Sequence, residues 1–257
     1  MEHDGFAIVE REGPVIACAL HAGHAIRPEM LDACALAEGD RLREEDPHTD
    51  VLADIGVTTV VAERSRFEVD LNRPREEAVY RGPAEAWGLT VWREPLSADR
   101  IARSLDIHDR FYEAMRDLLA RTVKRHGAAV VFDVHSYNHR REGAEVSPDD
   151  PAANPEVNIG TGTLDRSRWG PLVDRVTDTL RAAGLDVREN VRFRGGYFAA
   201  WAHETFAGDV AVLALEFKKV FMDEWSGAVD RARLERSRTA LARCVPEVRS
   251  LIEEARR

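Results

Sequence analysis

His21 and His24 stand three residues apart in Leu20-His21-Ala22-Gly23-His24, directly after the apolar run Val15 to Leu20. Two imidazoles so placed can converge on one metal ion if the backbone turns after a strand, and His135 can join them if the fold returns it to the same place. Three nitrogen or oxygen donors with the fourth position open is the arrangement of a catalytic zinc. Glu29, a carboxylate in the first turn of the stretch opened by Pro28, competes with His24 for the second ligand position. Glu216 interrupts the apolar run Ala211 to Phe217, where an isolated carboxylate is costly. Either Lys218 or Lys219 neutralises it, or it is a general base toward water activated by a metal.

A second group lies in Phe67-Glu68-Val69-Asp70-Leu71-Asn72-Arg73-Pro74, which gathers an amide, a guanidinium and two carboxylates after a strand. An Arg beside an Asn can grip a carboxylate with a fork of donors. Other chemistries are excluded by spacing: no HExxH and no G-x-S-x-G occurs. Gly160-Thr161-Gly162 is a lone GxG that reads as a turn.

These residues need strands to carry them. Phe6 to Glu10 and Val15 to Leu20 flank a Gly13-Pro14 turn and read as paired strands. Val57 to Ala62 is a buried strand that feeds the Asn72-Arg73 loop through Arg64 and Arg66. Ala128 to Val134 is a central strand delivering His135, Val157 to Gly160 is another, and Val210 to Phe217 carries Glu216. Helical periodicity covers 109–125, closed by Gly127, then 171–183, closed by Gly184, and about 229–256, interrupted at Pro246. Between Pro74 and Ile107 the pattern reads as loop with short pieces, and Arg194-Gly195-Gly196-Tyr197 as a hinge or a simple turn. Alternating strands and helices make the chain α/β, read as a single domain over 1–257.

A formal charge of -10, without a basic run, argues against nucleic acid or an anionic membrane as partner. Cys18, Cys34 and Cys244 form no CxxC and read as core residues. The N-terminus Met1-Glu2-His3-Asp4-Gly5 has no leader pattern and no apolar run is long enough to span a bilayer, so a cytoplasmic protein is expected.

Taken in order, His21 with a second ligand, Val69-Asp70-Leu71-Asn72-Arg73, Asp133-Val134-His135-Ser136-Tyr137 and Leu215-Glu216-Phe217 resemble the metallocarboxypeptidase and aspartoacylase superfamily. Within it, His21-Ala22-Gly23 followed by Ile26 and Pro28, together with Gly195-Gly196-Tyr197, is most similar to the N-formylglutamate amidohydrolase family. The resemblance implies a mixed β-sheet flanked by helices, zinc-carboxypeptidase-like (phosphorylase/hydrolase-like), one Zn²⁺, and amide hydrolysis in a small-molecule substrate bearing a carboxylate. N-formyl-L-glutamate, giving L-glutamate and formate, is the leading substrate. Carried over by position, His21 and His135 are metal ligands with His24 or Glu29 as the third, and Glu216 is the base. Arg66 polarises the scissile carbonyl, while Asn72, Arg73 and Tyr197 bind substrate. Two departures stand out: the usual HxxE is His21-Ala22-Gly23-His24 here, and Leu20 replaces a proline before the first His. A carboxypeptidase-like peptidase and a non-catalytic binder of an acidic metabolite are the alternatives, and the oligomeric state is left open.

Overall fold

In the computed structural model, which describes residues 2–255, the strands are Glu2–His3 (β1), Phe6–Val9 (β2), Val15–Ala19 (β3), Thr58–Ala62 (β4), Ala129–Tyr137 (β5), Val157–Gly160 (β6), Val187–Glu189 (β7) and Val210–Lys218 (β8). They form one sheet in the order β1-β2-β4-β3-β5-β8-β6-β7. The central strands β4, β3, β5 and β8 are parallel, whereas β2 and β6 run antiparallel to their inner neighbours. The helices are Pro28–Leu31 (α1), Glu38–Glu44 (α2), Thr49–Ala53 (α3), Ala98–His126 (α4), Arg166–Ala182 (α5), Tyr197–Thr205 (α6) and Arg231–Ala255 (α7). The sheet is mixed and flanked by helices, as the sequence led us to expect.

Period-two alternation sorts the core. Ala17, Ala19, Val130, Phe132, Val134, Leu213 and Leu215 pack with apolar residues of α3, α5 and α7, while Ile16, Cys18, Ala129, Val131, Val210 and Val212 pack with those of α4 and α6. Every residue of β5 is buried, which is why its sequence is a nearly unbroken apolar run. All three cysteines are free and buried, as expected of core residues. No described helix is long and apolar enough to cross a membrane.

Several expectations change. The strands on either side of Gly13-Pro14 are not partners, because β4 inserts between β2 and β3. The helix expected from Asp109 starts eleven residues earlier, at Ala98, after the cap residue Ser97. Its first turns bury Ser104 and His108, which bind the Arg27 guanidinium and the Arg73 carbonyl, so the apolar stripe used to find the helix is absent there. Pro171 and Pro246 sit inside α5 and α7 without ending them. An interior proline costs a helix about 3 kcal/mol, and around Pro246 the burial of Leu241, Cys244, Val245 and Val248 offsets it. The last helix was expected to reach Arg256, which lies outside the described residues.

His203, on α6, completes the backbone pairing of β8. β6 stops at the Gly160–Ala214 pair, and the Val212 N–H donates to His203 Nε2 at 2.9 Å instead. Thr163 Oγ1 lies 2.9 Å from the other ring nitrogen. The ring is therefore neutral, and burial pushes its pKa down to about 4 from 6.5. Between these values the unfolded chain binds more protons, so this contribution to stability is full above the unfolded value and is lost as pH falls towards the folded one. Urea unfolding of His203→Gln, which keeps an acceptor and does not titrate, is expected to show a shallower loss of stability from pH 6.5 to 4.5, by roughly 1 kcal/mol. An unchanged pH dependence would assign the loss to other groups.

Candidate metal and catalytic site

His21 lies two residues beyond the end of β3, and the chain then turns against the end of β4. A Cβ at Gly23 would lie 2.4 Å from the Glu63 carbonyl carbon, so only glycine permits this approach. The turn is closed by the Ala25 N–H, which donates to the Glu63 carbonyl at 3.1 Å. His135, near the end of the parallel neighbour β5, brings its ring centroid to 4.8 Å from that of His21.

Between the two rings lies Asp46. Its Oδ2 is 3.0 Å from His135 Nδ1 and 3.5 Å from His21 Nδ1, and the ligand atoms of His21, Asp46 and His135 all fall within 4.8 Å of one another. All three residues are buried. Burial pushes the Asp46 carboxyl upward, but hydrogen bonds from His135 and His21 overcome it and hold the group well below the usual carboxylate range. The backbone around Asp46 is fixed from several sides. The Asp46 N–H donates to the His21 carbonyl at 2.9 Å, Thr49 Oγ1 donates to the Asp46 carbonyl at 2.7 Å, and buried Lys219 donates to the carbonyls of Arg43 and Glu45, both at 2.7 Å.

The donor set fits a zinc ion, with two imidazoles and one carboxylate converging from three separate segments of the chain. Asp70 Oδ1 sits 2.7 Å from His21 Nε2, and the same carboxylate accepts from the Asn72 N–H, Arg66 and Tyr80. Asp70 thus engages Nε2 and holds the ring with Nδ1 facing Asp46, the usual support for a ligating histidine. Behind His135, buried Asp133 brings Oδ1 to 3.0 Å from Nε2, although neither of its oxygens makes an aligned hydrogen bond.

Neither residue expected to supply the third ligand lies in this group. His24 Nδ1 contacts Glu45 Oε2 at 2.5 Å, so His24 braces the residue before Asp46. Glu29 pairs with Arg103 of α4 at 2.9 Å. The carboxylate that faces the two histidines comes instead from Asp46, in the polar stretch Arg43-Glu44-Glu45-Asp46-Pro47. Its one local signal is Pro47, since a residue before proline is biased out of the helical region.

Glu216 on β8 is in register with His135 and, on its other side, with Asn158 of β6. It is half-buried, and desolvation raises its pKa to about 7 against the opposing pull of His135. Neither neighbouring lysine neutralises it: Lys218 Nζ donates to the Asn154 carbonyl and Lys219 Nζ to Arg43 and Glu45. His21, Asp46, His135, Glu216, Asn72 and Arg66 line a common cavity of about 510 Å³. Arg66 pairs with Asp70 at 2.8 Å and stacks on Trp87. Asn72 accepts from the Phe198 N–H through Oδ1 at 3.0 Å, and its Nδ2 is 3.3 Å from His135 Nε2.

Arg73 and Tyr197 are not among the residues lining the cavity. Arg73 lies over the Tyr80 ring and donates to the Glu85 carbonyl at 2.7 Å, which turns it away. Tyr197 opens α6 and packs edge-on against Tyr112. The cavity instead exposes Arg141, Arg192 and Arg194.

A family model described as N-formylglutamate amidohydrolase matches residues 13–222. An N-formylglutamate deformylase of Pseudomonas aeruginosa is 26% identical over 251 residues, covering 90% of each chain. One from Pseudomonas putida is 28% identical over 205 residues, covering 72% of each. The crystal structure of N-formylglutamate amidohydrolase from Ralstonia eutropha JMP134 superposes with a TM-score of 0.79 at 17% identity, over 98% of this chain and 99% of that one, and shows the same fold.

Proposed function

The chain belongs to the N-formylglutamate amidohydrolase family, and from that premise we propose that it is a zinc-dependent hydrolase cleaving N-formyl-L-glutamate to L-glutamate and formate. The observation that carries this reading is the convergence of His21, Asp46 and His135 beside Glu216 at the carboxyl ends of β3, β5 and β8, in one cavity.

Zn²⁺ held by His21, Asp46 and His135 would supply, when bound, positive charge that polarises the scissile carbonyl and lowers the pKa of water towards about 7. Glu216 takes the proton from the attacking water and returns it to the leaving nitrogen, since a base with a pKa near the working pH serves both transfers. Arg66, held by Asp70 and Tyr80, offers its donors where negative charge develops on the carbonyl oxygen. Asn72, fixed by the Phe198 N–H, directs its amide into the cavity and positions the substrate. Arg73 has no part in this reading.

The test combines elemental analysis of protein purified without added metal with turnover of N-formyl, N-acetyl and N-succinyl amino acids and short peptides. About one zinc per chain and fastest turnover of N-formyl-L-glutamate are expected. Turnover of peptides alone would make the protein a carboxypeptidase. Absence of metal, with no activity after zinc is restored, would make it a binder.

A further inference from the structure

Four arginines line the cavity, and three are already engaged. Arg66 pairs with Asp70, Arg141 with Glu44, and Arg192 with Asn154 and Asp149. The Arg194 guanidinium has no hydrogen bond or ion pair among the described residues. It is an exposed, uncommitted guanidinium lining the cavity.

Its backbone is held with unusual care. Asn158, fully buried, accepts from the N–H groups of Val191 and Arg192 at 3.0 and 2.9 Å and donates to the Phe193 carbonyl at 2.8 Å. The Gly162 N–H donates to the Arg194 carbonyl at 2.7 Å. A Cβ on Gly160 would lie 2.6 Å from the Gly195 nitrogen, and one on Gly162 would lie 2.9 Å from the Arg194 Cβ. The two glycines of Gly160-Thr161-Gly162 thus allow the 194–195 backbone to dock against the end of β6. That motif has a role the sequence did not disclose.

We propose that Arg194 is the residue that selects the side-chain carboxylate of the substrate, an inference that rests on the amidohydrolase reading. The catalytic groups lie at the cavity floor, where His21 and His135 are buried, while Arg194 is exposed at the mouth. In an N-acyl glutamate the α-carboxylate sits one carbon from the scissile nitrogen, and the side-chain carboxylate two methylenes further out. The outer cation therefore matches the outer anion.

The experiment compares wild type with Arg194→Met and Arg194→Lys on N-formyl-L-glutamate and N-formyl-L-glutamine, with L-glutamate and L-glutamine titrated calorimetrically into each zinc-loaded protein. Arg194→Met is expected to lower kcat/KM for the acid roughly 10- to 150-fold, chiefly through KM, while the amide changes by less than about threefold. Arg194→Lys should fall between, because a point charge replaces a fork. The binding preference for glutamate over glutamine should collapse in parallel. Equal losses for acid and amide, or no loss, would overturn the assignment. If wild type hydrolyses neither formyl substrate, the reaction has been misread, and the glutamate titration still decides whether Arg194 reads the carboxylate.

Discussion

Asp46→Ala is expected to abolish both zinc binding and turnover. The carboxylate lies between the Nδ1 atoms of His21 and His135, and without it two imidazoles remain. Losing a group that merely supports a ligand costs about 10- to 100-fold in metal affinity, so losing a ligand should exceed the upper end of that range. Because Asp46 also meets Ser136 Oγ at 3.3 Å, Asp46→Asn is the control that keeps shape and hydrogen bonding while removing charge. Zinc per chain after dialysis, measured beside the unfolding temperature with and without chelator, separates loss of metal from loss of fold. His24→Ala and Glu29→Ala should retain zinc, since their side chains face Glu45 and Arg103. Full zinc in Asp46→Ala, or its loss in Glu29→Ala, would move the metal to another set of residues.

That contrast marks how far the sequence could be read. The strands bearing His21, His135 and Glu216 were legible because buried parallel strands are unbroken apolar runs, and a lone His or Glu at the end of one is conspicuous. Asp46 was not legible: it follows a short helix in a polar stretch, and its position depends on the His21 carbonyl and on Lys219, far along the chain. Arg73 misled for a related reason. Its place after Asn72 suggests a paired clamp, yet Tyr80, Trp87 and Glu85 lie on its other side and draw the guanidinium away. The start of α4 was hidden because Ser104 and His108 are buried through specific polar partners, which leave no periodic signal. Asn158 belongs to the same class, a buried amide whose hydrogen bonds all reach 33 to 35 residues ahead.

Glu216→Gln should keep the zinc while losing most turnover. The residue is not one of the three that converge on the metal position, and glutamine preserves its size, so the fold and the donor set are left intact. What disappears is the proton acceptor, a contribution of about 10²- to 10⁴-fold in kcat. Glu44, which also lines the cavity, is paired with Arg141. Lys219 is committed to two backbone carbonyls, Asp46 faces both histidines, and Asp133 is fully buried behind His135. Binding of L-glutamate should be little changed, because product recognition falls to groups at the mouth and to Asn72. Glu216→Asp should recover part of the rate, as it restores an acceptor set back by one methylene. Turnover near the wild-type rate in Glu216→Gln, at full zinc content, would remove Glu216 from proton transfer and leave its place beside His135 as an accident of the β5–β8 register.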